Sequence, residues 1–276
     1  MKKYTLIGHP LGHSMSPLIH EQLFKIKNRD GFYDLTDIEP EKLSDSRNFF
    51  ETLCGFNVTI PHKINVIPLI DELAESAKRY NSVNCVANKN GKLIGYNTDC
   101  DGFLTATADF PLDKKVLLVG CGGVGRMMAI EIVLHGGALT IGIIPEAKEA
   151  AETLKAEILT LKPDASVEIG LISQIKGSFD VIVNASPVGM FPKTDACPVS
   201  DELIGGCTHV FDAVYNPVKT QLISKAEKLG KTAIGGASML VCQAVKAHEI
   251  WDGDFYSAEE INQIIKAVED TINGNS

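Results

Sequence analysis

The chain has 276 residues, of which 45% are hydrophobic and 22% charged, a composition typical of a globular protein with one large or two ordinary domains. Its net charge of −9 disfavours a general nucleic-acid binder, which would carry a basic patch, but allows a locally positive pocket for a small anion. No apolar run is long enough for a membrane span or a signal peptide, so we expect a cytoplasmic protein that does not bind a membrane.

Strand and helix signals alternate from the N-terminus onward. We predict strands over 4–8, 31–38 and 57–60, helices over 16–27, 40–53 and 64–73, and a hairpin over 82–99 around the Asn90-Gly91 pair. Ser16 is the expected N-cap of the first helix, with Pro17 at its first helical position. A further helix begins near Asp101.

A second unit of the same kind follows, from about residue 103 to 236. Its predicted strands are 114–120, 138–144, 166–170, 180–186, 209–215 and 232–236, with helices between them. The remainder is helical, and Ser257 with Glu260 forms the capping box of the last helix. This alternation predicts an α/β fold with parallel sheets covered by helices. The seven cysteines include no Cys-x-x-Cys pair, so we expect neither a disulfide framework nor a metal site.

A glycine-rich turn, Gly120, Gly122 and Gly125, lies between an apolar strand and a helix. This G-x-G-x-x-G context is what a dinucleotide needs: a tight turn, close approach of the backbone to the pyrophosphate, and free N–H groups at a helix N-terminus. The alternative is a glycine-rich turn without a ligand. The second strand of the unit ends at Ile143-Ile144-Pro145, followed by Glu146 and Lys148, and this leaves the choice between NAD and NADP open.

Lys63 and Asp99 each follow the end of a predicted strand. If the two strands run the same way in one sheet, the side chains meet at its edge, where an ammonium could donate a proton and the carboxylate could hold it. A surface ion pair is the alternative. Ser14 and Ser16 at the start of the first helix suit a carboxylate, unless Ser16 only caps the helix.

These segments together resemble the shikimate dehydrogenase family, over nearly the whole chain. The matching motifs are GHPLGHSMSPLIH (8–20), NVTIPHK (57–63), SVNCV (82–86), YNTDCDGF (96–103), GCGGVGR (120–126), NASPVGM (184–190), DAVYNPVKT (212–220) and GGASMLVCQA (235–244). The resemblance implies Lys63 and Asp99 as the catalytic pair. It implies a substrate site formed by Ser14, Ser16, Asn57, Thr59, Asn84, Tyr215 and Gln243. It implies a cofactor site formed by Gly120, Gly122, Gly123, Val124, Gly125, Ala185, Ser186 and Gly236. His13 is expected to support the first loop.

The resemblance also implies the architecture: a substrate-binding catalytic domain over 1–102 completed by 237–276, and a Rossmann-like NAD(P)-binding domain over 103–236. The implied activity is the reversible NAD(P)H-dependent reduction of 3-dehydroshikimate to shikimate, a step towards chorismate and the aromatic amino acids. The implied partner is this small-molecule substrate, and the implied assembly is a monomer or homodimer.

One departure from the family concerns the cofactor. NADP-using members carry an arginine after the second cofactor strand, where this chain has Ile144, so NADP is the family expectation and NAD an alternative. Two other functions stay open from the sequence. One is a paralogue that oxidises quinate, and the other is a sensor that binds the same acids without turnover.

Overall fold

The structure is a computed structural model that describes residues 1–12 and 14–274. The chain divides into two compact units, which we describe separately. The first comprises Met1–Gly102 and Leu240–Val268, and the second comprises Phe103–Met239 and the residues from Glu269 onward. The chain therefore passes from one unit to the other after Gly102, after Met239 and after Val268.

The first unit is built on a six-stranded sheet in the order β2-β1-β3-β5-β6-β4. Its strands are β1 (Lys2–Gly8), β2 (Gly31–Asp37), β3 (Gly55–Val58), β4 (Glu72–Leu73), β5 (Cys85–Lys89) and β6 (Lys92–Tyr96). Its helices are α1 (Ser16–Ile26), α2 (Arg47–Glu51), α3 (His62–Asn65), α4 (Glu75–Tyr80) and the start of α5 (Asp99–Ala106).

The predicted hairpin is confirmed and changes the character of this sheet. Asn90 and Gly91 have φ values of 58° and 87°, the left-handed geometry of a tight turn between β5 and β6. Strand β5 is antiparallel to both β3 and β6, while β1 is parallel to β2 and β3. The sheet of this unit is therefore parallel except at β5, where the predicted hairpin reverses the direction of the chain.

Three local predictions in the first unit were wrong in detail. Helix α1 begins at Ser16 with Met15 as its N-cap, so Ser16 is not the cap. The apolar stretch predicted as one helix over 64–73 forms only α3, a single 3-10 turn over Ile67–Leu69 and β4. Pro68 explains this, since it lacks an N–H group and disfavours helical backbone at the residue before it. The helix predicted over 40–53 is a 3-10 turn over Pro40–Ser46 followed by the short α2.

The second unit contains a wholly parallel six-stranded sheet in the order β12-β11-β10-β7-β8-β9. Its strands are β7 (Lys115–Val119), β8 (Ala138–Ile143), β9 (Val167–Leu171), β10 (Val181–Asn184), β11 (His209–Asp212) and β12 (Thr232–Gly235). Helices α6 (Gly123–Leu134), α7 (Lys148–Leu161), α8 (Asp201–Gly205) and α9 (Gln221–Lys228) connect them. Most of the two helices that follow, α10 (Gly236–Asp252) and α11 (Ala258–Gly274), belongs to the first unit. This is the strand order of a doubly wound dinucleotide-binding fold, with its switch point between β7 and β10.

Each unit has its own apolar core. In the first, Phe50 stacks on Phe56 with ring centroids 4.4 Å apart, and Trp251 of α10 donates from its indole to the carbonyl oxygen of Val86 at 2.9 Å. In the second, the parallel strands are buried on both faces, as the continuous apolar runs over 116–119 and 181–183 predict. None of the helices within residues 1–12 and 14–274 is long and apolar enough to cross a membrane.

The capping box of the last helix is confirmed. The Ser257 N–H donates to Glu260 Oε2 at 2.7 Å, and the Glu260 N–H donates to Ser257 Oγ at 3.2 Å. Two N–H groups at the start of α11 are therefore satisfied reciprocally.

Candidate active site

Lys63 and Asp99 meet in the first unit. Lys63 lies in α3, shortly after β3, and Asp99 opens α5, shortly after β6. Because β5 is antiparallel to both β3 and β6, these two strands run the same way and their carboxyl ends lie at one edge of the sheet. The Nζ of Lys63 donates to Oδ2 of Asp99 at 2.6 Å, and the side chains are 26% and 17% exposed. The pair is half-buried rather than a solvated surface bridge.

Asn84 holds the other oxygen of this carboxylate. Its Nδ2 donates to Asp99 Oδ1 at 2.8 Å, and its Oδ1 accepts from the Thr98 N–H at 2.6 Å. The backbone donor at Thr98 fixes which end of the amide faces the carboxylate. The Asp99 N–H in turn donates to Asn97 Oδ1 at 3.1 Å. Sequence reasoning missed Asn97 and Thr98, although both lie in the YNTD segment that it singled out.

Asn57 is 5% exposed, and both ends of its amide are used inside the protein. The Tyr33 hydroxyl donates to Asn57 Oδ1 at 2.8 Å, and Asn57 Nδ2 donates to the Asn84 carbonyl oxygen at 3.2 Å. Burial raises the pKa of Tyr33 well above its usual value, and a hydrogen bond with the Ser16 side chain opposes the shift. Tyr33 thereby links the start of α1 to the residues around Asp99, a role for which the sequence offers no local signal.

The other substrate-site candidates of the first unit are half-buried. The Ser16 N–H donates to Ser14 Oγ at 3.2 Å, so Ser14 takes part in the turn that opens α1. The Thr59 N–H donates to the Ile7 carbonyl oxygen at 2.9 Å. Gln243 donates from Nε2 to the Leu240 carbonyl oxygen of its own helix at 2.8 Å, which leaves its Oε1 outside that bond. His13 lies outside the described residues.

The glycine turn of the second unit fits a dinucleotide phosphate. Gly122 is the N-cap of α6, and among the described residues no side chain caps its N–H groups. A Cβ built on Gly122 or Gly123 would meet nothing within 4 Å, which leaves open space above the turn next to Val124. A Cβ on Gly125 would lie 2.4 Å from the Gly120 carbonyl oxygen, and Gly120 itself has φ 96°. The turn therefore requires glycine and presents bare N–H groups to an anion.

The end of β8 is the place where a dinucleotide fold contacts the adenosine ribose. Ile143 is buried, whereas Ile144 is 58% exposed and offers no hydrogen bond to a ribose or a phosphate. Lys148 is exposed at the start of α7. Arg126 of the glycine turn is paired with Glu157 of α7, with Nε 2.8 Å from Oε2, so its guanidinium is held there.

The remaining candidates of the second unit also lie at carboxyl ends of strands. A Cβ on Gly120 would lie 3.2 Å from the Ser186 nitrogen and from the carbonyl of Ala185, so the glycine turn and the segment after β10 are direct neighbours. The Gly236 N–H donates to the Val214 carbonyl oxygen at 3.2 Å. Tyr215 is 36% exposed.

One cluster in the first unit has the donor types of a metal site. His248, Asp252 and Asp254 place one ligand atom each within 4.8 Å of one another. Asp252 is paired with Lys2, and Asp254 is paired with Arg29. The cluster is accounted for by these ion pairs and by the buried histidine, so its composition does not point to a metal ion.

Comparison with known proteins agrees with this geometry. The shikimate dehydrogenase substrate binding domain matches residues 6–86. The shikimate dehydrogenase (NADP(+)) of Caldanaerobacter subterraneus subsp. tengcongensis is 34% identical over 274 residues, covering 96% of this chain and 96% of the relative.

Two solved structures extend the comparison. A shikimate dehydrogenase in complex with NADP+ superposes with a TM-score of 0.89 at 33% identity, over 98% of this chain and 96% of that one. A shikimate 5-dehydrogenase from Listeria monocytogenes in complex with shikimate and NAD superposes with a TM-score of 0.86 at 29% identity, over 96% of both chains. The chain has an α/β fold with a Rossmann-like unit, and its 34% identity to a shikimate dehydrogenase extends over 96% of its length. The chain therefore belongs to the shikimate dehydrogenase family.

Proposed function

We propose that the protein is a shikimate dehydrogenase that interconverts 3-dehydroshikimate and shikimate with a nicotinamide dinucleotide. The observation that carries this proposal is the half-buried contact between Lys63 and Asp99, 2.6 Å long, in a chain of this family. In this proposal, residues 1–102 with the C-terminal helices bind the substrate, and residues 103–236 bind the dinucleotide.

Reduction of the ketone needs a hydride at carbon and a proton at oxygen. A dinucleotide bound at the glycine turn would supply the hydride. The Lys63 ammonium donates the proton to the oxygen as the carbonyl becomes a hydroxyl, and in the oxidative direction neutral Lys63 takes that proton back. Asp99 holds the lysine through one oxygen, and Asn84 holds Asp99 through the other, so the proton donor is already oriented before the substrate arrives.

Substrate orientation rests on the remaining polar groups. Ser14 and Ser16, at the N-terminus of the eleven-residue helix α1, are proposed to bind the substrate carboxylate with their hydroxyls. Asn84 and Thr59 are proposed to contact the ring hydroxyls, and Gln243 and Tyr215 to contribute the remaining polar contacts. The structure engages the Asn57 amide internally, so its proposed contribution is to hold Asn84 in place.

For the cofactor, we propose that the protein accepts both NADP and NAD with little discrimination. Its relative from Caldanaerobacter carries NADP(+) in its name, one similar structure holds NADP+ and another holds NAD. Ile144 is exposed at the end of β8, the position where the resemblance implies an arginine that would bind the 2′-phosphate. The absence of a forked, charge-assisted contact removes about 1.5–3 kcal/mol of preference for NADP, or roughly a factor of 10–100.

A two-by-two assay tests the proposed function. Shikimate and quinate are each offered with NADP⁺ and with NAD⁺, and formation of the reduced nicotinamide is followed by its absorbance. We expect turnover of shikimate with both dinucleotides and little turnover of quinate. Faster turnover of quinate than of shikimate would indicate a quinate-oxidising paralogue. Binding of shikimate without turnover in any of the four combinations would contradict the proposal and indicate a sensor.

A further inference from the structure

A buried carboxylate in the second unit takes no part in the chemistry described so far. Asp212 ends β11 and is fully buried. Its Oδ1 accepts from Asn184 Nδ2 at 2.9 Å and from the Val214 N–H at 3.1 Å, and its Oδ2 accepts from the Thr220 hydroxyl at 2.7 Å. These donors are all neutral. Burial raises the pKa of Asp212, and the three hydrogen bonds oppose that shift.

The hydrogen bonds continue from Asp212 into the segment after β10. Asn184 Nδ2 faces the carboxylate, and this turns Asn184 Oδ1 towards Ser186, which donates to it from its N–H at 3.1 Å and from its hydroxyl at 2.6 Å. The Val188 N–H then donates to Ser186 Oγ at 3.3 Å. The conformation of residues 184–188 therefore depends on which way the Asn184 amide points, and Asp212 determines that orientation.

The same carboxylate holds the segment after β11. The Val214 N–H is bound directly, which fixes the backbone immediately before Tyr215. Thr220 caps α9 by accepting from the Ile223 N–H at 3.2 Å while its own hydrogen goes to Asp212. Both segments emerge from carboxyl ends of neighbouring parallel strands, and Ser186 is in direct contact distance of the glycine turn.

Hydrogen bonds that hold the loop after a strand do not ordinarily require a charged side chain. A carboxylate removed from water without a cation is costly, whereas an uncharged amide or hydroxyl could tie one loop at much lower cost. What a carboxylate adds is acceptor capacity: it takes three bonds from three segments at once and donates none. One acceptor of this capacity holds the segments after β10 and β11 together at the ligand edge of the sheet.

We infer that Asp212 is a positioning residue for the nicotinamide end of the dinucleotide, acting through Asn184 and Ser186 on one side and through Val214 on the other. The inference rests on the proposed function, since it assigns the segments after β10 and β11 to the cofactor. It does not involve Lys63 or Asp99, which belong to the other unit.

The experiment compares Asp212→Asn with the unsubstituted protein. Titration of NADPH fluorescence measures dinucleotide affinity without any substrate. The deuterium isotope effect on kcat, with the reduced dinucleotide labelled at the transferred position, reports how far hydride transfer limits turnover. We expect the Kd for NADPH to rise about 10-fold, the isotope effect to increase and kcat to fall by about 10–100-fold, because small displacements of reacting groups have effects of this size. Shikimate affinity, measured by calorimetry without dinucleotide, should stay unchanged.

Matched variants separate positioning from loss of folded protein. Asp180→Asn makes the same change in a carboxylate that accepts from the Lys115 N–H at the opposite end of β10, and it should leave NADPH affinity and the isotope effect unchanged. Thr220→Ser keeps the hydroxyl donor and should behave as the unsubstituted protein, whereas Thr220→Val should shift both quantities in the direction of Asp212→Asn. If Asp212→Asn does not fold, the two Thr220 variants decide the question.

The outcomes distinguish this inference from the proposed function. If the unsubstituted protein is active and Asp212→Asn leaves the Kd for NADPH and the isotope effect unchanged, the inference is overturned. It is also overturned if only kcat falls, because a lower kcat with the same Kd and isotope effect indicates fewer folded molecules. A protein that does not turn over shikimate contradicts the proposed function instead. The NADPH titration of Asp212→Asn still decides the inference in that case.

Discussion

Lys63 donates to Asp99 across 36 residues of chain, with Nζ and Oδ2 2.6 Å apart. The second oxygen of the same carboxylate accepts from Asn84 at 2.8 Å. Each oxygen of Asp99 thus has a hydrogen-bond donor. Asn84 holds the Asp99 carboxylate in place, and the carboxylate in turn holds the Lys63 ammonium. An oriented donor of this kind is what separates general acid catalysis from a solvated ion pair.

Replacement of Lys63 by alanine should abolish most turnover while shikimate still binds. Positioned proton transfer contributes about 10²–10⁴ in rate, and kcat should fall by roughly that factor. The measurement pairs steady-state kinetics with calorimetric titration of shikimate. Lys78→Ala serves as the control, because Lys78 forms a comparable pair with Glu75 on the surface of the same unit. Residual activity equal to that of Lys78→Ala would remove Lys63 from the catalytic assignment.

Gly125→Ala should weaken dinucleotide binding and destabilise the second unit. The added Cβ would lie 2.4 Å from the Gly120 carbonyl oxygen, and a backbone atom cannot move aside cheaply. We expect a loss of about 1–3 kcal/mol in the free energy of unfolding, together with a higher Kd for NADPH. Thermal unfolding and NADPH fluorescence measure the two effects. Gly205→Ala, which adds a Cβ with nothing within 4 Å, should show neither.

Ile144→Arg should convert the cofactor preference towards NADP. The position is 58% exposed, so the change removes little from the core. A guanidinium there could bind a 2′-phosphate through a forked contact, which would lower Kd for NADP by roughly 10–100-fold and leave Kd for NAD nearly unchanged. Leu161→Arg adds the same charge at an exposed position of α7 and controls for general attraction. Equal gains in both variants would mean that the end of β8 does not contact the 2′-phosphate.

Stability should fall as the pH drops from about 6.5 to about 4, because of buried histidines. Burial lowers the pKa of His248 from 6.5 to about 4, with Asp252 and Asp254 opposing and Arg29 reinforcing the shift. Burial also lowers the pKa of His20. Below pH 6.5 the unfolded chain binds protons that the folded protein does not, so the stability present above 6.5 is lost through this window.

For His248 alone the loss amounts to about 3 kcal/mol at most. Urea unfolding between pH 7.5 and pH 4.5 measures it. His248→Gln should reduce the pH dependence and leave the part due to His20, whereas His135→Gln, at a half-exposed site, should retain it in full. A flat profile in the unsubstituted protein would contradict the prediction.

The sequence placed Lys63 and Asp99 after two strand ends, but only the family resemblance distinguished a catalytic pair from a surface ion pair. Alternating residues ended by Pro61 marked one strand end, YNTD marked another, and Asn90-Gly91 marked a hairpin between them. Strand β5 is antiparallel to β3 and the hairpin then reverses the chain once more, so β3 and β6 run the same way and their carboxyl ends lie at one edge. The Asn90-Gly91 turn is local and predicts the second reversal. The first depends on which strands become neighbours, and no local pattern marks it.

The supporting residues could not be found in this way. Tyr33 reaches Asn57 across 24 residues, and Asp212 reaches Asn184 across 28. Such hydrogen bonds depend on which strands become neighbours, and no local pattern marks the residue that takes part. The error at 64–73 has a different source, since the apolar pattern outweighed Pro68 in the prediction although the proline decides the backbone.

The interleaved path of the chain has a consequence for biosynthesis. Trp251 fills a place in the core of the first unit, where a Cβ on Gly55 would lie 2.4 Å from its indole nitrogen. On the ribosome, Met1–Gly102 emerge long before Trp251 is made, while every strand of the second unit emerges in between. The usual order, in which the N-terminal domain folds first, is reversed here. We expect the core of Met1–Gly102 to stay open until α10 and α11, the last helices to be translated, complete it.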